Sequence, residues 1–243
     1  MHRFFVDPKC FLGNRITFPT EIAHQIRNVL RLRVGSAILV LDNSGAEFEV
    51  LLRQVDRQQV VGEAVAKRPS PNEPAVQLTL YQALMKRDKF EWVLQKGTEI
   101  GVSAFVPLVT QRSLVQDVDL KANKQARWHK IITEAAEQSR RGRIPELHPP
   151  QTLVQALESH PAQPGLIAWE EEDSLRLRGA LVEGERPSHI SLFIGPEGGF
   201  ATEEVEAAQA AGIQAITLGK RILRAETAAL VAAALVLYEL DQM

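Results

Sequence analysis

A run of prolines near residue 70 divides this chain into two parts that follow different patterns. The segment Pro69-Ser-Pro-Asn-Glu-Pro74 places three prolines within six residues. Because proline fixes φ and has no backbone N–H, neither a helix nor a central strand continues through such a segment. The 243 residues are therefore predicted to form two domains, residues 1–70 and residues 75–243.

The part before the prolines has mainly the pattern of strands. Apolar and alternating segments predict strands at residues 37–41, 46–55 and 59–65. Asn43-Ser-Gly45 lies between the first two strands and is a hairpin turn signal. Apolar periodicity predicts one helix over residues 21–32. A small β-barrel is the fold that this pattern favours.

After the prolines, strands and helices alternate. Strands are predicted at residues 76–83, 104–109, 166–169, 190–194 and 215–218, and helices at residues 89–100, 123–140, 153–158, 203–211 and 225–240. This alternation predicts an α/β fold, in which helices cover both faces of a mostly parallel sheet.

Gly97 falls inside a predicted helix, where glycine costs about 1 kcal/mol of helix stability relative to Ala, so we expect close packing there. Lys96 and Glu99 beside it are expected to be surface charges or an ion pair.

Two of the predicted strands run into turns that contain glycine and charged residues. The turns are Ile194-Gly-Pro-Glu-Gly-Gly-Phe200 and Leu218-Gly-Lys-Arg-Ile-Leu-Arg-Ala-Glu-Thr-Ala228. Ligands of open α/β sheets bind at the carboxyl ends of strands, and glycine allows the backbone to approach a ligand closely. Either turn alone could be an ordinary strand-to-helix connection. Both together, with Glu197, Arg224 and Glu226 in them, favour a ligand site.

The residues of these turns limit the class of ligand that the site can bind. Neither the triphosphate pattern GxxxxGK[ST] nor the dinucleotide pattern GxGxxG occurs in them. Glu197 would repel a phosphate, so ATP is expected to bind poorly and a cationic or neutral adenosine derivative is favoured. S-adenosylmethionine, which carries a sulfonium, satisfies this requirement. An α/β enzyme that uses another adenine cofactor remains the alternative.

The two turns closely resemble the carboxy-terminal signature of the bacterial 16S ribosomal RNA (uridine N3) methyltransferases, which belong to the SPOUT superfamily. The resemblance spans the chain from end to end. Further matching stretches are Arg3-Phe-Phe, His24 through Leu30-Arg31, Gln95-Lys-Gly-Thr-Glu-Ile-Gly-Val102, Glu134-Ala-Ala-Glu-Gln-Ser-Arg-Arg141 and Arg143-Ile-Pro-Glu146.

The resemblance implies a more specific architecture than the pattern alone. Residues 1–70 would form a PUA-like β-barrel for RNA docking, and residues 75–243 a SPOUT methyltransferase domain with a carboxy-terminal trefoil knot. The last predicted helix is apolar nearly all round, and such a helix is buried on most sides. A knot core and a dimer interface would each supply that burial. Because the family is dimeric through this region, the resemblance implies a homodimer.

The resemblance also implies the reaction, S-adenosylmethionine-dependent methylation of N3 of a specific uridine in 16S rRNA of the small ribosomal subunit. Arg224 and Glu226 are predicted to be catalytic, Glu226 as a proton acceptor and Arg224 as a stabiliser of the uridine anion. Alternatively, these two side chains pair with each other and brace the loop. The predicted cofactor-binding residues are Leu166, Ala168, Trp169, Ile194, Gly195, Pro196, Glu197, Gly198, Gly199, Leu218, Gly219, Ile222, Leu223, Arg224, Thr227 and Ala228. Trp169 could equally be a packed aromatic.

Charge is distributed unevenly along the chain. Residues 1–72 carry a net charge of +3, residues 73–143 carry +4 and residues 144–243 carry −9. A basic face attracts RNA phosphates even on an acidic protein, although solvated surfaces also segregate charge. The predicted RNA-binding residues are Arg3, His24, Arg31, Arg141 and Arg143. Arg140 departs from the family, which usually has a small residue there, and is not assigned a catalytic role. A non-catalytic RNA-binding ribosome assembly factor is the alternative reading of such a surface.

Several classes of protein are disfavoured. One cysteine excludes a disulfide framework and fits a reducing compartment. The amino terminus has no apolar signal segment, and the longest apolar run is too short to span a bilayer. A cytoplasmic protein without a membrane partner is therefore expected. None of the six histidines has metal-ligand spacing, so no metal is expected.

Overall fold

A computed structural model describes residues 1–86, 88–116, 121–160, 163–182 and 186–243, with the side chain of Val182 excepted. The chain divides into two compact units. The first comprises Met1–Glu73 together with Ala136–Ile144, and the second comprises Pro74–Ala135 together with Pro145–Met243. The segment Ala136–Ile144 therefore belongs with the amino-terminal unit, although it lies far beyond the prolines in sequence.

A six-stranded sheet forms the first unit. Its strands are β1 (Arg3–Phe5), β2 (Phe11–Leu12), β3 (Arg15–Thr17), β4 (Ala37–Leu41), β5 (Ala46–Val55) and β6 (Val60–Pro69). The order is β1-β4-β5-β6-β3-β2, with β1 parallel to β4 and the other neighbours antiparallel. A 3-10 turn over Pro8–Cys10 precedes β2, and helix α1 (Thr20–His24) continues into a π-helical turn over Gln25–Val29. Phe4, Ile16, Ile38 and Val50 are among the side chains of its buried core.

The sequence pattern predicted the long strands of this unit better than its short elements. The strands expected at residues 37–41 and 46–55 are confirmed, and the third runs from Val60 to Pro69. The helix expected over residues 21–32 ends earlier, because the α-helical turn gives way to the π-helical one. Strands β1, β2 and β3 were not predicted, since two or three residues carry no readable alternation.

A mostly parallel sheet with flanking helices forms the second unit. Its strands are β7 (Gln77–Ala83), β8 (Ala104–Val109), β9 (Glu146–Leu147), β10 (Gln151–Thr152), β11 (Gly165–Ala168), β12 (His189–Ile194) and β13 (Ile213–Ile216). The helices are α2 (Lys89–Ile100), α3 (Ala122–Gln138, whose last residues lie in the first unit), α4 (Leu153–Glu158), α5 (Leu177–Val182), α6 (Thr202–Ala210) and α7 (Ala225–Glu239). The strand order is β10-β8-β7-β12-β11-β13, with β9 also on β8, and every one of these pairs is parallel.

This architecture confirms the predicted α/β class with a parallel sheet. The predicted helices agree with α2, α3, α4, α6 and α7 to within two residues at each end, whereas α5 and the short strands β9 and β10 were not predicted. Gly97 has the expected packing role, because a Cβ there would lie 2.8 Å from a ring carbon of Phe105. Lys96 and Glu99 form a surface ion pair with an N–O distance of 2.7 Å.

The last helix is buried along one face only. Ala229, Ala232, Ala233, Val236 and Leu237 are inaccessible to solvent. The opposite face is apolar but accessible, and its exposed fractions are 36% for Val231, 40% for Leu235 and 67% for Tyr238. The expectation that α7 is covered on most sides therefore does not hold within one copy of the chain.

Candidate functional site

The two glycine-bearing turns border a cleft in the second unit, at the carboxyl ends of β11 and β12 and after β13. Its main part has a volume of about 340 Å³, and a part of about 90 Å³ shares Ala168, Glu170, Ile222, Leu223 and Ala228 with it. This volume lies at the lower end of the range of small-molecule sites. The walls combine apolar side chains with exposed backbone and a few charges, which suits a ligand with both a ring system and charged groups.

The first turn is anchored at one end and sharply bent near it. Phe200 is 1% exposed and belongs to the core of the second unit. The Gly199 N–H donates to the Pro196 carbonyl at 3.0 Å, and Gly199 has φ +69°. A Cβ on Gly199 would overlap the Glu170 carboxylate. Glycine is therefore required at this position both by the left-handed backbone and by the carboxylate beside it.

The second turn leads into the amino terminus of α7. Gly219 has φ +112°, and its N–H donates to Thr217 Oγ1 at 3.2 Å. Arg224 is the N-cap residue and makes no side-chain cap hydrogen bond, as expected for a side chain that has no acceptor. Since the first N–H groups of a helix lack intrahelical partners, the end of α7 that lines the cleft through Ala225 offers donors to an anionic group.

Lys89 connects the two turns. Its Nζ lies 3.3 Å from Glu197 Oε1 in the first turn and 3.3 Å from Glu226 Oε2 at the start of α7. The Glu226 side chain is only 14% exposed, and its Oε2 is buried without a hydrogen bond of good geometry. The contact between Lys89 and Glu226 is therefore an ion pair without a well-aligned hydrogen bond. Lys89 is thus the cation that offsets two carboxylates.

Most of the predicted cofactor residues come together in this cleft. Those that line it are Ala168, Trp169, Ile194, Gly195, Pro196, Glu197, Gly199, Leu218, Gly219, Ile222, Leu223, Arg224 and Ala228. Leu166 does not, because it is buried inside β11. Gly198 lies against Arg112, whose guanidinium donates to the Gly198 carbonyl at 3.0 Å. Thr227 is not part of the lining either.

The predicted catalytic pair is divided between the cleft and its wall. Arg224 lines the cleft and is exposed. Glu226 is not in the lining and pairs with Lys89, so the suggested brace between Arg224 and Glu226 is replaced by a different ion pair. The sequence interpretation also assigned no role to five lining residues, namely Lys89, Glu170, Thr217, Arg221 and Ala225. Lys89 opens the helix that follows β7, and Glu170 follows β11, so the strand-end rule could have identified both.

The predicted RNA-binding residues differ in their access to solvent. The Arg3 side chain is 8% exposed and pairs with Glu47 at 2.9 Å, and the Arg141 side chain is 4% exposed and pairs with Glu73 at 2.8 Å. Burial alone raises the pKa of Glu47, but the hydrogen bonds and charges of Arg68 and Arg3 outweigh it, so that pKa is lowered. Both guanidinium groups are therefore largely buried against carboxylates of the first unit, and their contacts with RNA phosphate stay a prediction.

The remaining three predicted RNA contacts, His24, Arg31 and Arg143, are exposed on the first unit. Arg31 has φ +54° and follows Leu30, the C-cap residue of the π-helical segment. In the described ranges, no helix is long and apolar enough to cross a membrane. Nor do those ranges contain a group of three or more His, Cys, Asp or Glu side chains that could hold a metal ion.

Comparison with known proteins agrees with this geometry. A family model described as an RNA methyltransferase domain matches residues 71–237, so the class of the protein is that of the RNA methyltransferases. The chain is 36% identical to Ribosomal RNA small subunit methyltransferase E of Synechocystis over 96% of this chain and 76% of the relative. It is 33% identical to the protein of that name from Bacillus subtilis over 99% of this chain and 98% of the relative.

A solved structure extends the likeness to three dimensions. The Ribosomal RNA small subunit methyltransferase E of Neisseria gonorrhoeae, crystallised bound to S-adenosyl methionine, superposes with a TM-score of 0.87 at 32% identity, over 98% of this chain and 97% of that one. The chain belongs to the ribosomal RNA small subunit methyltransferase E family.

Proposed function

We propose that this protein transfers a methyl group from S-adenosylmethionine to N3 of one uridine in 16S rRNA of the small ribosomal subunit. The observation that carries the proposal is the cleft formed by both glycine-bearing turns, in a chain that matches the family over its whole length. The relatives are named methyltransferases, and nothing in the comparisons favours the alternative of a non-catalytic assembly factor.

The residues of the cleft fit S-adenosylmethionine by their chemistry. Ile194, Leu223 and Ala228 offer apolar contacts for the adenine ring. The carboxylates of Glu170 and Glu197 favour a cationic ligand. The first N–H groups of α7, whose N-cap residue provides no acceptor, suit the carboxylate of the methionine part.

Methyl transfer requires the protein to align the uridine with the methyl donor and to stabilise the charge that develops, and it needs no covalent bond to the protein. S-adenosylmethionine would supply the methyl group: its S–CH3 bond would break as the N3–CH3 bond forms, S-adenosylhomocysteine would leave, and the N3 proton would be released. The side chains must therefore hold the uridine in line and receive that proton. Arg224, exposed in the cleft, is placed to stabilise negative charge on the uracil ring.

Two carboxylates of the site line the cleft, and a third lies behind its wall. Glu170 and Glu197 line the cleft, so either of them, directly or through a water molecule, is placed to receive the proton. Glu226 is buried behind the lining and acts through Lys89. Its contribution is therefore to position Lys89 and, through Lys89, Glu197.

The finer architecture and the assembly are part of the same proposal. We infer that the six-stranded sheet of the first unit is a PUA-like domain that docks RNA, and that the carboxy-terminal part of the second unit forms the family's trefoil knot. The accessible apolar face of α7 supports a homodimer. A cytoplasmic location follows from the substrate, since ribosomal subunits are assembled there in bacteria.

Two measurements test the function. Calorimetric titration with S-adenosylmethionine is expected to show saturable binding, and ATP is expected to bind poorly because the Glu197 carboxylate in the first turn would repel its phosphates. Mass mapping of 16S rRNA from a deletion strain is expected to show the loss of one N3-methyluridine. If that rRNA kept its full set of methyluridines, or lost a methyl from ribose or from C5, the assignment of the acceptor atom would be wrong.

A further inference from the structure

The helix α3 ends in a conformation that normally requires glycine. The Arg141 N–H donates to the Ala136 carbonyl at 2.9 Å, and the Arg140 N–H lies 3.4 Å from the Glu137 carbonyl. These two contacts form a Schellman motif, in which the residue at the position of Arg140 adopts the left-handed conformation. Arg140 indeed has φ +63°. Glycine is strongly favoured at this position because a Cβ is unfavourable there.

The loop that follows is fixed by contacts that do not involve the Arg140 side chain. Glu73 accepts from the Arg141 guanidinium at 2.8 Å and from the Gly142 N–H at 2.8 Å. Asn72 Nδ2 donates to the Arg140 carbonyl at 3.0 Å. A glycine would therefore keep the same loop conformation, and the arginine side chain is not needed to build it.

The Arg140 side chain itself extends from the loop into solvent. Within the described part of the chain, its guanidinium makes no hydrogen bond and no ion pair, and it is exposed. Arg143, three residues on, is also exposed, and its guanidinium donates to the Ser44 carbonyl at 2.9 Å. The buried Arg141 is matched by Glu73. The loop thus presents two guanidinium groups, neither of which pairs with a carboxylate among the described residues.

We propose that Arg140, supported by Arg143, binds RNA phosphate on the first unit. The inference rests on the proposed function in one respect, that RNA is the substrate. A guanidinium is suited to bidentate phosphate contacts, and a loop that is already rigid loses little conformational entropy on binding. Retention of an unfavourable backbone conformation, where glycine would relieve it, indicates a function for the side chain.

The test separates the charge of Arg140 from its backbone conformation. Arg140→Gly removes both the charge and the strain, Arg140→Gln removes only the charge, and Arg140→Lys keeps both. Binding of the full-length protein to small ribosomal subunits from a deletion strain is measured over a series of salt concentrations. We expect Arg140→Gly and Arg140→Gln to weaken binding and to reduce the slope of log K against log salt by about 0.7–0.9. We expect Arg140→Lys to retain the slope.

Thermal unfolding supplies a second readout, in which the two neutral variants differ. Arg140→Gly is expected to raise the unfolding temperature by about 2–4 °C, whereas Arg140→Gln leaves it near the wild-type value. Calorimetric affinity for S-adenosylmethionine should stay the same in every variant. The control is Arg57→Gln, which removes another exposed arginine of the first unit and should leave the salt slope unchanged.

Three results would overturn the inference while leaving the proposed function intact. They are an unchanged slope in Arg140→Gly, an equal loss in Arg57→Gln, and an Arg140→Gly variant that is no more stable than the wild type. Failure of the proposed function would look different, because the wild-type protein itself would then neither bind nor methylate the subunits.

Discussion

Lys89 contacts a carboxylate at each of the two turns of the candidate site. Lys89→Met leaves Glu197 and the mostly buried Glu226 without their shared cation. Because removal of one partner from a partly buried ion pair leaves an uncompensated charge, we expect a loss of about 1–3 kcal/mol in the free energy of unfolding. Calorimetric affinity for S-adenosylmethionine should fall with it, since Glu197 is then free to move.

The matched control for Lys89 is on the same helix. Lys96→Met breaks an ion pair with Glu99 on an accessible surface, so stability should change by at most about 0.5 kcal/mol. Lys89→Arg, which keeps the charge, should recover part of the loss. Equal effects of Lys89→Met and Lys96→Met on cofactor affinity would show that Lys89 has no special place in the site.

Arg224 should act on turnover more than on cofactor binding. The side chain is exposed in the cleft and makes no N-cap hydrogen bond, so its removal disturbs little of the fold. We expect Arg224→Ala to reduce kcat about 100-fold, a loss of about 2.7 kcal/mol in transition-state stabilisation. S-adenosylmethionine should still bind with nearly the wild-type Kd. Single-turnover methylation and calorimetry measure the two effects separately, and a parallel loss of both would assign Arg224 to cofactor binding.

His160 does not line the cleft, but its protonation should make the free energy of unfolding depend on pH. Its ring lies 5.8 Å from that of Phe193, its Nε2 is buried without a hydrogen-bond partner among the described residues, and burial lowers its pKa from the ordinary 6.5. The unfolded chain therefore binds this proton more readily, so the stabilising contribution is complete above pH 6.5 and falls as the pH decreases below it. We expect His160→Phe, which retains an aromatic ring, to lose less stability than the wild type in denaturant titrations at about pH 5.5. Parallel pH profiles would contradict this.

Sequence patterns identified the elements of the second unit because its strands are buried on both faces. Such strands appear as apolar runs, as at β8 and β12. The same reasoning could not find the π-helical turn, since Gln25–Val29 continues the periodicity of α1 while its hydrogen bonds change. Strands of two residues, such as β9, exist only through their neighbour β8 and carry no pattern of their own.

The candidate site was predictable where it depends on the backbone and not where it depends on distant partners. Gly199 and Gly219 could be inferred from their turns, and both have positive φ. The Lys89 contact joins residues that lie 108 positions apart in the chain, which no local pattern reveals. Arg141 was read as a phosphate contact because a sequence cannot distinguish an exposed arginine from one that is paired in the interior.

Two neighbouring glycines of the first turn, Gly198 and Gly199, should respond differently to substitution. Gly199→Ala places a methyl group on a left-handed residue and against the Glu170 carboxylate, so we expect at least a tenfold loss of S-adenosylmethionine affinity. Gly198→Ala should have a smaller effect, because Gly198 does not have a left-handed backbone, does not line the cleft, and would bring its Cβ to 3.3 Å from Arg112 Cβ, a contact that a small shift relieves. Calorimetry on both folded variants compares them directly. A larger effect at Gly198 would reverse our assignment of the residue that faces the ligand.

The two units are less separate in sequence than the proline run suggested. The chain returns to its first unit for Ala136–Ile144, and Glu73, near the end of the proline run, holds Arg141 in that segment. A Cβ on Gly142 would overlap Ser70, so close packing also fixes this return. Cutting the chain between the predicted domains would separate Ala136–Ile144 from most of the unit to which it belongs. A boundary drawn from composition alone therefore misses the segment that completes the first unit.

Homodimer formation should depend on the accessible face of α7. Val231, Leu235 and Tyr238 recur at helical spacing and stay exposed in one copy of the chain, and an apolar stripe of this kind is typical of a helix that packs against a partner. Leu235→Glu would bury an unpaired carboxylate in such an interface, so we expect the dimer Kd to rise about 100-fold or more. The free energy of unfolding of the monomer should change by only about 0.5 kcal/mol, because Leu235 is 40% exposed. Sedimentation equilibrium measures the association, with Leu12→Glu as a control, since Leu12 is 82% exposed on the first unit. A wild-type chain that stays monomeric at all concentrations, or a Leu235→Glu variant that associates like the wild type, would exclude this face as the interface.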